Sequence, residues 1–411
     1  MARVAIMAIG SRGDVAPYTG LGVRLQEAGH RVTLATHALF EPLVRRHGLD
    51  FQPLPMDTRE QLATHFADRG LVRMSLAVNR VVAEHARPLA AAMLAAARAA
   101  DVLLVTPTSW FGIHIAEGLG RPSLGVYLQP LTPTRQFPPP VLTTRSLGGW
   151  ANHRAASLLL DVGQRPFRAA VDELRSDLGL PPATPSAWLA AQEARWPICY
   201  GFSPLVVPPP PDWPAWHRPV GYWWPAPEPG FEPDPRLSDF LAAGPPPVYV
   251  GFGSMPARDR AALSALVVTA VRKAKLRAVV GAGWAGLTAT GDDVLAVGEV
   301  PHEWLFPRMA AVVHHAGAGT TAAGLRAGLP AVPVPFMVDQ PFWARRLTRL
   351  GVSPGPVPIR RLTADRLAGA LTAAVADPAY RHRAEALAAR LAEEDGAEGV
   401  RRELDRLLKG G

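Results

Sequence analysis

The sequence predicts an α/β chain built as two doubly wound, parallel-sheet, Rossmann-like domains. Three observations carry this. Short apolar runs alternate with helix-length segments in two series, a proline-rich stretch divides the series, and each series contains a strand-to-loop junction of the kind from which parallel sheets bind ligands. The junctions are Gly10-Ser11-Arg12-Gly13-Asp14 near the start and His314-His315-Ala316-Gly317-Ala318-Gly319-Thr320-Thr321 far downstream.

The first series opens with a strand over residues 3–9, a helix over 18–28 and, after Gly29-His30, a strand over 31–36. Alanine-rich helical stretches cover 60–100, and strands over 102–105 and 123–127 continue the alternation. Residues 204–247 are dense in proline and tryptophan, as in Trp223-Trp224-Pro225. Proline removes backbone donors and fixes φ, so a semi-rigid connector on the surface is expected there. The second series starts with a strand over 248–252, the turn Gly253-Ser254 and a helix over 257–274. Strands near 276–280, 294–297, 311–314 and 331–333 follow, and an amphipathic helix over 380–408 closes the chain. The expected division is 1–205 and 248–392, joined by 206–247, with a terminal helix from about 393–411 packing back onto the first domain.

Composition narrows the function classes. Hydrophobic content of 48% with 19% charged residues describes a globular protein rather than a disordered one. A strand starting at Arg3 is expected to leave no space for a signal peptide, and Arg98 and Asp101 interrupt the longest apolar stretch, so no spanning helix is expected. Peripheral membrane contact stays open. Cys199 is the sole cysteine, which excludes an internal disulfide and fits a reducing cytoplasm. The net charge of +8 is carried by scattered arginines, not by a dense basic block, which argues against nucleic acid as a partner.

At the first junction, Gly10 and Gly13 permit an unusual backbone path and Asp14 sits at the mouth of the sheet. Asp14 is a candidate general base for an acceptor hydroxyl, and equally a candidate helix cap. The loop lacks G-x-G-x-x-G, and the second strand ends Ala35-Thr36-His37 without an acidic residue for a ribose, which argues against a dinucleotide. At the second junction, Gly317 and Gly319 let backbone amides approach an anion, Thr320 adds a hydroxyl, and the following helix presents its positive end. His315 is expected to add a proton or positive charge toward the same diphosphate. Downstream, Asp339 and Gln340 pair a carboxylate with an amide, as sugar hydroxyls require, although a plain turn has the same composition. Ser254 is a further phosphate or sugar contact, or a helix cap. No D-x-D, H-E-x-x-H or cysteine cluster occurs, so metal-independent chemistry without a cofactor is expected.

These residues resemble the inverting, two-domain GT-B glycosyltransferases of family 1, and among them the bacterial antibiotic and the sterol glycosyltransferases. The similarity runs through residues 10–17, Gly29-His30-Arg31-Val32, Gly221-Tyr222-Trp223-Trp224-Pro225, residues 248–255 and the block from Val300-Pro301-His302-Glu303-Trp304 to Gln340-Pro341-Phe342-Trp343. The resemblance implies a GT-B fold and Asp14 as the base. It implies donor contacts at Ser11, Arg12, Gly13, Ser254, His315, Gly317, Gly319, Thr320, Asp339 and Gln340, with Val300 and His302 beside the nucleotide base and ribose. The co-substrate is then a UDP-sugar or dTDP-sugar. Glu299 and Ala323 depart from the plant pattern of a stacking tryptophan and a ribose-binding glutamate, which leaves dTDP open.

The reaction implied is a single displacement onto a hydroxyl of a hydrophobic acceptor such as a natural-product aglycone or sterol. Met74, Trp110, Phe111, Tyr127 and Gln129 offer apolar, aromatic and amide surface for it in the first domain. A nucleotide-sugar epimerase and a non-catalytic auxiliary protein of a partner transferase are the alternatives. The protein is expected to act as a monomer or homodimer.

Overall fold

The computed structural model describes residues 1–55, 71–183, 186, 195–253, 255, 259–283, 286–289 and 291–410, with the side chains of 71–84 and 410 outside that description. Two parallel sheets organise these residues. The first contains β1 (Arg3–Met7), β2 (Arg31–His37), β3 (Asp50–Leu54), β4 (Val102–Val105), β5 (Ser123–Tyr127), β6 (Ile198–Tyr200) and β7 (His217–Pro219), in the order β3-β2-β1-β4-β5-β6-β7. The second contains β8 (Val248–Gly251), β9 (Ala278–Gly281), β10 (Val294–Val297), β11 (Val312–His314) and β12 (Ala331–Pro333), in the order β10-β9-β8-β11-β12.

The helices are α1 (Arg12–Glu27), α2 (Glu41–Arg46), α3 (Leu71–Arg98), α4 (Phe111–Gly118), α5 (Gly149–Gln164), α6 (Arg168–Asp177), α7 (Pro235–Ala242), α8 (Arg260–Lys273), α9 (His302–Leu305), α10 (Ala318–Arg326), α11 (Gln340–Arg349), α12 (Ala364–Ala376), α13 (Pro378–Leu391) and α14 (Gly396–Gly410). In each sheet the strand order reverses at the first strand of its series, between β1 and β4 and between β8 and β11. The crevice beyond the carboxyl ends of such strands is where open α/β sheets hold ligands. Both sequence junctions leave from these switch points.

Three expectations are corrected. The helix predicted over 18–28 begins six residues earlier, at Arg12, because Ser11 supplies the cap and Pro17 is tolerated near the start of the helix. The proline-rich stretch is not only a surface connector. It adds the edge strand β7, where proline needs no ladder partner on its open side, and it buries Trp213, Tyr222 and Trp223. The closing helix is broken into α13 and α14, because the chain must cross the 221–222 backbone at Gly396. A Cβ there would lie 2.4 Å from the Gly221 carbonyl oxygen.

After the break, α14 packs on α1, and Val400 and Leu404 join Tyr18, Leu21 and Leu25 in one core. Arg218–Glu403 (2.6 Å), Arg24–Asp395 (2.8 Å) and the bond from Trp223 Nε1 to the Gly396 carbonyl (3.1 Å) fix the return. Another apolar cluster runs from Tyr200 and Phe202 through Trp213 and Tyr222 to Val312, Trp343 and Leu391, so the two sheets share a core at their seam.

Candidate active site

The first loop is shaped around one carboxylate. Gly10 takes φ 152°, and a Cβ there would lie 2.6 Å from the Asp14 side chain, so only glycine admits the acid. Ser11 caps α1, and Asp14, three residues on, returns the contact: its Oδ2 accepts from the Ser11 backbone N–H and hydroxyl, both at 2.9 Å. Gln129, from the loop after β5, hydrogen-bonds the same carboxyl. Desolvation nevertheless raises the Asp14 pKa above the ordinary carboxylate value, outweighing these bonds, which makes it a better proton acceptor. His37 holds this loop in place. It is buried at the end of β2, and its Nε2 accepts the Gly10 N–H at 3.1 Å, anchoring the loop.

The second loop is built around His315. His314, fully buried, accepts the Ala316 N–H through Nδ1 at 3.0 Å and holds Ala316 at φ 63°, a left-handed conformation costly for a residue with a Cβ. The His315 ring is clasped between two glycines. A Cβ at Gly317 would lie 2.5 Å from its Nε2, and one at Gly253 2.8 Å from its Cε1. Burial lowers the His315 pKa to about 4, which favours the neutral ring, able to donate or accept a hydrogen bond. Its Nδ1 is buried and has no hydrogen-bond partner among the described residues. Gly317 then caps α10, whose first-turn amides include those of Gly319 and Thr320. Ser254 lies outside the described residues.

The two helix N-termini face one another. A Cβ at Gly319 would sit 4.0 Å from the Gly13 carbonyl oxygen, and α1 contacts α10. Pro17 has no N–H to give that carbonyl, so it stays free of the helical ladder. Beside this seam Arg12 bridges Glu299 (2.6 Å) and Glu228 (3.1 Å), tying the first loop to the strand end before Val300. His302 stacks on Phe306 with centroids 4.3 Å apart and rings 18° from parallel. Burial, then the charge of Arg12, lowers its pKa to about 4. Val300 is half-buried against the shared core.

The loop after β12 brings a second acid. Val338 sits at φ 56°, and the Asp339 Oδ2 accepts the Trp343 Nε1–H at 2.8 Å. Desolvation, opposed by that bond and aided by the charge of Asp14, raises the Asp339 pKa to about 6. The two carboxylates therefore sense each other. Gln340 braces the loop: its Oε1 accepts from Phe336 N (2.7 Å) and Met337 N (3.2 Å), and its Nε2 points at Met255 Sδ.

On the acceptor side, Phe111 and Tyr127 are corrected to core. Phe111 is 1% exposed and set edge-on to Phe167, and Tyr127 is 6% exposed among Tyr200 and Trp196. Trp110 is half-buried and stacks on Phe167. Gln129 reaches Asp14, and Met74 lies in α3 with its side chain outside the description. Among the described residues, no group of three His, Cys, Asp or Glu side chains gathers as metal ligands, and no helix is long and apolar enough to cross a membrane.

Residues 4–138 match the N-terminal domain of glycosyltransferase family 28, and residues 278–407 match the C-terminal domain of erythromycin biosynthesis protein CIII-like proteins. The chain is 36% identical over 422 residues to the O-mycaminosyltylonolide 6-deoxyallosyltransferase of Streptomyces fradiae, covering 97% of this chain and 96% of that protein. The chain belongs to the family 1 GT-B glycosyltransferases. Within the family it is also 34% identical over 413 residues to a sterol 3-beta-glucosyltransferase of Arabidopsis thaliana, covering 97% of this chain and 64% of that longer protein. The GT-B fold is shared with glycosyltransferase VinC, solved with dTDP (TM-score 0.69, 22% identity, all of both chains covered). It is shared as well with SnogD from Streptomyces nogalater (TM-score 0.67, 21% identity, covering 98% of this chain and 99% of that one).

Proposed function

We propose that the protein is an inverting, metal-independent glycosyltransferase that moves a sugar from a dTDP- or UDP-sugar to a hydroxyl of a hydrophobic acceptor. The observation that carries this reading is the opposition of two helix N-termini across the seam, with Asp14 on one and His315 beside the other. Two positive helix ends with free amides suit a diphosphate, and a carboxylate of raised pKa beside it suits proton removal from an alcohol.

The acceptor oxygen attacks the anomeric carbon as its proton passes to Asp14. The carbon–phosphate oxygen bond breaks on the opposite face, and the electron pair leaves on the diphosphate. Asp14 is too weak a base to ionise an alcohol beforehand, so transfer and attack are concerted and positioning supplies much of the acceleration. The amides of Gly319 and Thr320, the Thr320 hydroxyl and neutral His315 donate to the departing diphosphate. Asp339, whose other oxygen is left by Trp343, accepts from a sugar hydroxyl, while Ser11, Arg12 and Gly13 close over the donor and Val300 and His302 flank the nucleoside.

Solved relatives carry dTDP, and a curated relative transfers a deoxysugar by name, which makes dTDP-sugars the first donors to try. The sterol and macrolide relatives point to a lipophilic acceptor. Incubation with dTDP- and UDP-sugars and a panel of hydrophobic alcohols is expected to yield a glycoside of inverted anomeric configuration by mass and proton coupling. A retained configuration contradicts the single displacement, and donor epimerised without acceptor returns the reading to an epimerase.

A further inference from the structure

Among the described residues, the outward face of α5 and the loop before it is apolar and unpartnered. Trp150 is 72% exposed and Leu158 59%, and Leu142, Leu147 and Val162 stand out beside them. The four-residue spacing of Trp150, Arg154, Leu158 and Val162 sets them in one strip of the helix, while Asn152 and Ala156 turn inward. The same stretch is strongly basic. Residues 135–168 hold Arg135, Arg145, Arg154, Arg165 and Arg168, all exposed, and a single acid, Asp161, which accepts from the Ser186 hydroxyl at 3.1 Å. Beneath, α5 covers a small apolar cavity lined by Leu131, Phe137, Val141, Leu159 and Leu160. Val141 is itself exposed, so the cavity reaches the surface at this patch.

We propose that this face seats the protein on a lipid bilayer bearing anionic headgroups. An exposed tryptophan with leucines flanked by arginines has the composition of an interfacial helix: the rings and aliphatic chains enter the headgroup boundary and the guanidinium groups meet phosphates. A second copy of the chain fits poorly. A two-fold contact through this face brings two strongly basic surfaces together, with Asp161 as the single acid on each. The inference does not depend on the transfer reaction.

The test is flotation of the purified full chain with vesicles of phosphatidylcholine alone or mixed with phosphatidylglycerol, at low and high salt. Flotation with the anionic vesicles, lost in high salt, is expected. Arg154→Gln with Arg165→Gln should weaken binding about fivefold per arginine at low salt, and Trp150→Ala with Leu158→Ala about tenfold or more at either salt. Failure of the unmodified chain to float with anionic vesicles overturns the proposal without any variant. So does undiminished flotation of both double variants, or a concentration-dependent dimer in sedimentation that Trp150→Ala with Leu158→Ala dissolves.

Discussion

Asp339 illustrates how one residue's environment sets both stability and chemistry. Its pKa of about 6 lies above the ordinary 3.8 because burial disfavours the charged form. The native state then binds its proton more tightly than the unfolded chain does, so ionisation costs stability as pH rises from about 4 to 6, and the cost is complete above that. Asp339→Asn should therefore raise stability at pH 8 by up to roughly 3 kcal/mol, with the gain fading near pH 4, while transfer falls. Thermal melts across that range check the sign. Residue roles were unevenly legible in the sequence. Glycines next to His315 were readable because only glycine gives backbone room. The brace made by Gln340, the anchor made by His37 and the neutrality of His315 depend on partners and burial that no local pattern encodes.

At the scale of elements, the apolar strands over 102–105, 123–127, 294–297 and 331–333 were legible because buried parallel strands read as continuous apolar runs. β6 and β7 escaped because three residues flanked by proline carry no period, and the start of α1 was masked by Gly13 and Pro17, both poor helix formers. The N-terminus of α10 is the proposed donor-phosphate site. Gly317→Ala would press a methyl into His315, moving the ring or costing about 1–3 kcal/mol. Calorimetric titration is expected to show weaker dTDP binding with helical content unchanged, whereas unchanged affinity would separate His315 from the donor.

The whole molecule is tied together at its seam and by its terminal helix. Gly396→Val drives a side chain into the Gly221 backbone, which cannot yield as a side chain would. A loss of about 3 kcal/mol is expected, read as a lower denaturation midpoint for the core under the first sheet although the substitution lies past the second. The Arg12 bridge to Glu299 and Glu228 acts differently, because it is solvent-exposed. Arg12→Ala should change stability by under about 1 kcal/mol and raise the donor KM several-fold, since it loosens the closure over the donor. In the proposed reaction two loops on different sheets form one site, with the base on the first and the leaving group on the second. Asp14→Asn tests it most directly, comparing single-turnover transfer with dTDP affinity in the same protein. A loss of about 10²- to 10⁴-fold in transfer with dTDP binding essentially retained is expected, and turnover equal to that of the unmodified chain would rule out Asp14 as the base.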